Sequence, residues 1–72
     1  KVFPNPVKEV LTFSSSHVWE AEIFDIQGNR IVKIPPTSYY LWNVANRSPG
    51  IYYTRIKMNG KMYLRKIVVV GN

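Results

Sequence analysis

Apolar and polar positions along this chain repeat with a period of two. Between Val18 and Ile26, Trp19, Ala21 and Ile23 alternate with Glu20 and Glu22, which predicts a strand with one buried face and one wet face. From Ile51 to Met58, Tyr52, Thr54, Ile56 and Met58 share one face while Arg55 and Lys57 share the other. Asn59-Gly60 then separates this arm from Lys61–Val70, and an Asn-Gly pair between two such arms signals a hairpin with a two-residue turn. No segment sustains the i, i+3, i+4 spacing of an amphipathic helix.

Turn chemistry punctuates the remainder. Phe3-Pro4-Asn5-Pro6 reads as an extended lead-in along a sheet edge, because each proline lacks an N–H and pushes its predecessor towards extended geometry. Val10–Phe13 is a short strand stopped by Ser14-Ser15-Ser16, and Arg30–Ile34 is another, ended by Pro35-Pro36. Between them, Asp25–Asn29 forms a turn in which Gly28 or Asn29 takes positive φ and Asp25 bonds nearby backbone N–H groups. Tyr39–Val44 is a further strand, and Asn46–Gly50 a tight loop with Pro49 and Gly50 at the central positions of a type II turn. Six to seven short strands spaced by turns predict an all-β fold, a sandwich or a small barrel.

Length limits what such a fold can contain. The 72 residues allow one domain, and a domain of this size buries only about 60% of the surface its unfolded chain exposes. There is no cysteine and one histidine, His17, so disulfides are excluded and a four-ligand structural zinc site is disfavoured. Stability rests on packing, for which 46% hydrophobic and 14% aromatic residues supply the material. No basic-then-apolar leader opens the chain, and no apolar run reaches the roughly 18 residues of a membrane span. The chain, starting at Lys1, is read as a piece of a longer protein with residues 1–72 forming one domain.

Charge is unevenly placed. The net charge is +6, all four carboxylates (Glu9, Glu20, Glu22, Asp25) lie early, and every charged residue after Asp25 is basic. Such asymmetry fits either an anionic partner or cations that solubilise strand faces and protect edges.

Candidate chemistry is sparse. Ser16 and His17 are sequence neighbours, and on a regular strand adjacent side chains point to opposite faces. Glu20 and Glu22 share a face about 7 Å apart by the rise per residue, yet a chain this short offers little depth for a sugar cleft. Gly28, Gly50 and Gly60 are isolated turn glycines rather than a phosphate-binding loop, and the Asn46-Arg47-Ser48 acceptor pattern carries no weight. These features point away from an enzyme and call for no cofactor or metal. Trp19, Tyr40 and Trp42 are read either as core or as a platform that stacks sugars, the mark of an accessory carbohydrate-binding sandwich. No nucleic-acid partner is expected.

The order of motifs adds a further reading. Phe3-Pro4-Asn5-Pro6, then Ile23-Phe24-Asp25 with Gly28 and Arg30, then Ser48-Pro49-Gly50-Ile51-Tyr52, then a basic-hydrophobic terminal strand together resemble the C-terminal sorting domain (type A) of type IX, or Por, secretion substrates of Gram-negative bacteria. The resemblance spans essentially the whole chain, although Phe3 replaces the usual tyrosine and Asn29 splits the usual Gly-Arg pair. It implies an immunoglobulin-like antiparallel β-sandwich that directs a covalently linked N-terminal passenger through the outer-membrane translocon. The implied partners are that translocon, a shuttle receptor and a sortase-like protease that removes the tail. The implied route is transit through the periplasm to the cell surface or medium. The terminal strand Lys66-Ile67-Val68-Val69-Val70, together with Ser48-Pro49-Gly50, is the expected recognition surface, because a strand at a sheet edge offers free N–H and C=O groups to a receptor. The same strand is also read as core.

Overall fold

The computed structural model describes residues 1–71. Its organising element is β2 (Val10–Phe24), which pairs antiparallel along one side with β3 (Arg30–Asn43). On the other side its first half meets β1 (Val2–Phe3) and its second half meets β4 (Gly50–Met58), which in turn pairs with β5 (Lys61–Val69). The result is one curled five-stranded antiparallel sheet with a β-sandwich-like form. Its inner surface holds the core: Leu11 and Phe13 from one half of β2, Trp19, Ala21 and Ile23 from the other, with Ile34, Trp42, Tyr52, Ile67 and Val69. Phe13 meets Trp19 at 5.6 Å between ring centroids, and Trp42 meets Tyr52 edge-on at 5.6 Å and 83°. Edge-to-face geometry of this kind adds to the burial that large aromatics already provide.

Two expected strand ends are continuous instead, so the six to seven short strands become five, two of them long. Ser14-Ser15-Ser16 does not stop β2; the strand bends there. Four residues of β2 (Ser15–Val18) oppose one residue of β3 between the pairs Ser14↔Tyr39 and Trp19↔Thr37. Local hydrogen bonds sustain the irregularity, with Ser15 Oγ accepting from His17 N at 3.2 Å and contacting Met58 Sδ at 3.6 Å. Pro35-Pro36 likewise does not end β3. Both prolines oppose Glu20 between Trp19↔Thr37 and Ala21↔Ile34. Prolines are tolerated at such a bulge on an edge strand, where a missing N–H removes no obligatory ladder bond. The two irregularities coincide and let the β2–β3 ribbon curl.

The turns follow the sequence closely, with one exception. Asn59 and Gly60 take φ of 53° and 74°, the pair of positive values a type I′ hairpin requires. Asp25 caps its own turn by accepting from Gln27 N at 3.0 Å and Asn29 N at 2.9 Å, and Gly28 takes the positive φ, 88°. The exception is Pro49-Gly50. The turn closes earlier, by Arg47 N donating to Val44 O at 2.9 Å. Gly50 opens β4 at φ 144°, well away from the roughly 80° of a type II turn.

Ile23 is fully buried near the end of β2, where that strand pairs with both β3 and β4. Replacing it with alanine should cost about 2–5 kcal/mol, enough to lower the urea midpoint sharply in a domain this small; Trp emission measured across a urea titration reads the loss.

Candidate recognition surface

The loop joining β3 to β4 and the end of β5 meet at one end of the sheet. Gly50 is the register partner of Val69, and a Cβ built on Gly71 would lie only 3.0 Å from Pro49 Cγ. Tyr52 fixes this loop from inside: its ring is buried and its hydroxyl donates to Ser48 O at 2.7 Å. A tyrosine bonded to backbone a few residues upstream is a recurrent device of β-sandwiches. Ser48, Pro49 and Gly50 are exposed, and beside them an open cleft of about 620 Å³ runs between this loop and the Asp25–Gln27 turn.

The terminal strand divides by face. Ile67 and Val69 are buried core residues, Lys66 is exposed, and Val68 and Val70 are half-buried. Core and accessible positions therefore alternate along this strand. Its backbone edge is less free than a terminal strand suggests. Asn5 Nδ2 donates to Lys66 O at 2.8 Å while Asn5 Oδ1 accepts from Val68 N at 3.0 Å. Val7 N donates to Val68 O and Val70 N donates to Val7 O, both at 2.9 Å, with Val7 itself fully buried. The proline-framed lead-in thus covers the outer edge of β5 from Lys66 to Val70. Sequence reasoning placed this segment along an edge but missed which one: Asn5 and its partners are separated by more than 60 residues, a distance that leaves no local pattern.

The outer face of the sheet is charged. Glu22 accepts from Arg30 Nη1 at 2.9 Å and from Arg55 Nη2 at 2.5 Å. The hydrogen bond from Arg55, reinforced by that from Arg30, holds the Glu22 carboxyl below its ordinary value of 4.5. The Asn29 backbone N–H lowers Asp25 similarly.

Other candidate chemistry is dispersed. Ser16 and His17 do not point to opposite faces as a regular strand would have them. In the bulge Ser16 Oγ lies 3.2 Å from His17 Nδ1, because the irregular backbone breaks the alternation. Both are exposed, and no carboxylate is bonded to the imidazole among the described residues. The aromatic platform is not formed. Trp19 and Trp42 are 3% and 5% exposed, and Tyr40 packs its edge against Phe13 at 6.4 Å, since a core this thin takes up its largest side chains. No group of three or more metal-ligating side chains converges among the described residues, and no helix is long and apolar enough to cross a membrane.

The chain is thus a small all-β, sandwich-like module in which an exposed loop and the end of the terminal strand are brought to one end. The model of the family described as secretion system C-terminal sorting domain matches residues 1–70, and the chain belongs to that family. It is thereby a C-terminal sorting signal for type IX secretion, a class of domain that engages the type IX machinery on behalf of an attached passenger. Substrates of this system are secreted and end at the cell surface or in the medium. No curated protein matches the chain.

Two outcomes test this geometry. Asn5→Ala should cost about 1 kcal/mol and speed amide exchange at Val68, read by hydrogen–deuterium exchange. Because Glu22 has a lowered pKa in the folded chain, its contribution is present above its unfolded pKa and lost as pH falls through the folded value. Glu22→Gln should therefore lower the denaturant midpoint at neutral pH but leave a shallower decline between pH 5 and pH 3 (roughly the carboxylate range) than the native chain shows.

Proposed function

We propose that the domain acts as a non-enzymatic address: the Ser48-Pro49-Gly50 loop and the accessible residues of the terminal strand, Lys66, Val68 and Val70, are read by the outer-membrane translocon and its shuttle receptor. The observation that carries this is the junction of loop and strand, where Gly50 pairs with Val69 and Pro49 packs on Gly71. Ile67 and Val69 serve the address indirectly, by fixing the strand in the core. Residues 1–72 form the tail of a larger passenger that crosses the periplasm before export, and a sortase-like protease then removes the tail. Buried tryptophans leave the carbohydrate-binding alternative without a binding face.

Deleting residues 67–72 would strip Ile67 and Val69 from the core, so retention of such a reporter would report unfolding as readily as lost recognition. The cleaner variant is Pro49→Ala with Val68→Glu, which changes the surface and spares the core. A reporter carrying this tail should accumulate in the periplasm severalfold above the native tail while Trp emission stays native. Export at the native level would refute the assignment of these residues.

A further inference from the structure

Coverage of β5 by the lead-in stops at Lys66, and what lies beyond is open. Val68 directs both its N–H and its C=O away from β4 towards Val7 and Asn5. By the alternation of an antiparallel ladder, Met62, Leu64 and Lys66 direct theirs the same way. Among the described residues, the N–H groups of Met62, Leu64 and Lys66 have no partner on that side. Leu64 O meets only the Arg65 guanidinium, at 3.5 Å. Exposed strand edges of this kind pair with other chains unless they are blunted.

The surroundings of this edge define what fits it. Lys57, Lys61, Arg65 and Lys66 are exposed, and none of them is in an ion pair among the described residues. The outer face presents Met62 and Leu64 at 54% and 69% exposure. On the inner side the edge borders a largely apolar groove of about 270 Å³ whose lining includes Trp19, Ile56, Met58 and Tyr63, with Lys1 and Arg65 at its margin. A second copy of this chain is a poor occupant, because β5 against β5 would oppose Lys61, Arg65 and Lys66 to their own counterparts at +6 per chain.

We infer that the outer edge of β5 from Lys61 to Lys66 is a strand-addition site for an extended acidic segment of a partner protein, whose side chains would alternate between the groove side, where Lys61 and Arg65 flank Tyr63, and the outer face, where Lys57 and Lys66 flank Met62 and Leu64. This deepens, and rests on, the sorting reading above, and moves backbone recognition from the covered half of β5 to its open half. Main-chain hydrogen bonds supply affinity in such additions and the alternate side chains supply selectivity.

The test uses a reporter fused ahead of the full 72-residue chain, with exported and periplasmic fractions measured by immunoblot. Leu64→Pro removes an outward N–H that no strand of the domain uses, and Met62→Pro does so independently should the first variant lose native Trp emission. Lys61→Glu, Arg65→Glu and Lys66→Glu together reverse the charge of the edge. Native-like emission with export lowered about tenfold, the loss of about 1.4 kcal/mol, in both a proline variant and the charge-reversed variant is the expected result. Export unchanged in folded proline variants overturns strand addition. Loss only on charge reversal overturns it too, pointing to an anionic glycan or membrane surface. Loss only in the proline variants overturns the acidic character of the partner. A native tail that fails to export the reporter overturns the sorting reading itself.

Discussion

The structure depends on the continuity of β2 through its bend. Without disulfides, a chain of 72 residues must form two facing halves from very few strands, and β2 and β3 contribute to both by passing through the curl as a paired ribbon. Leu11 and Phe13 are thereby set across from Trp19, Ala21 and Ile23 of the same strand. The bulges are what make this possible, because extra unpaired residues raise local twist and bend the strand. A straight β2 would leave half of these side chains in water.

How much of this the sequence carries varies with the range of the interaction. Period-two alternation located Ile23, Tyr52 and Thr54 inside, and Asn59-Gly60 located the hairpin, because those signals are local and each residue's neighbours decide them. The serine run and the proline pair carry local signals of strand ends, yet tertiary pairing overrides them: prolines that would break a regular central strand are accommodated at a bulge in an edge strand. Asn5 and Val7 were invisible for the opposite reason. Nothing in their neighbourhood indicates that their partners are Lys66, Val68 and Val70.

The proposed recognition surface shows the same division. Ser48, Pro49 and Gly50 and the terminal strand were expected to act together, and the register of β4 on β5 brings them together. The turn type was wrong because Val44 O, rather than a carbonyl nearer Pro49, closes the chain reversal. The assignment of Trp19 and Trp42 was a question of burial alone, and size settles it: in a thin core the largest rings are the most effective filling.

Edge management links the fold to its role. A β5 open along its whole length would invite indiscriminate pairing, and one covered along its whole length could not be read through its backbone. The lead-in covers the apolar Ile67–Val69 stretch, where exposed β-prone sequence is most prone to aggregation. It leaves open the stretch flanked by Lys61, Arg65 and Lys66, where like charge discourages self-association. The lead-in itself is anchored at both ends, through Val2 and Phe3 on β2 and through Val7 on β5. Loosening β5 would therefore release Val7 from the core, and loosening the lead-in would expose Val68 and Val70. The two segments hold each other in place, so the covered edge remains closed only in a correctly folded domain.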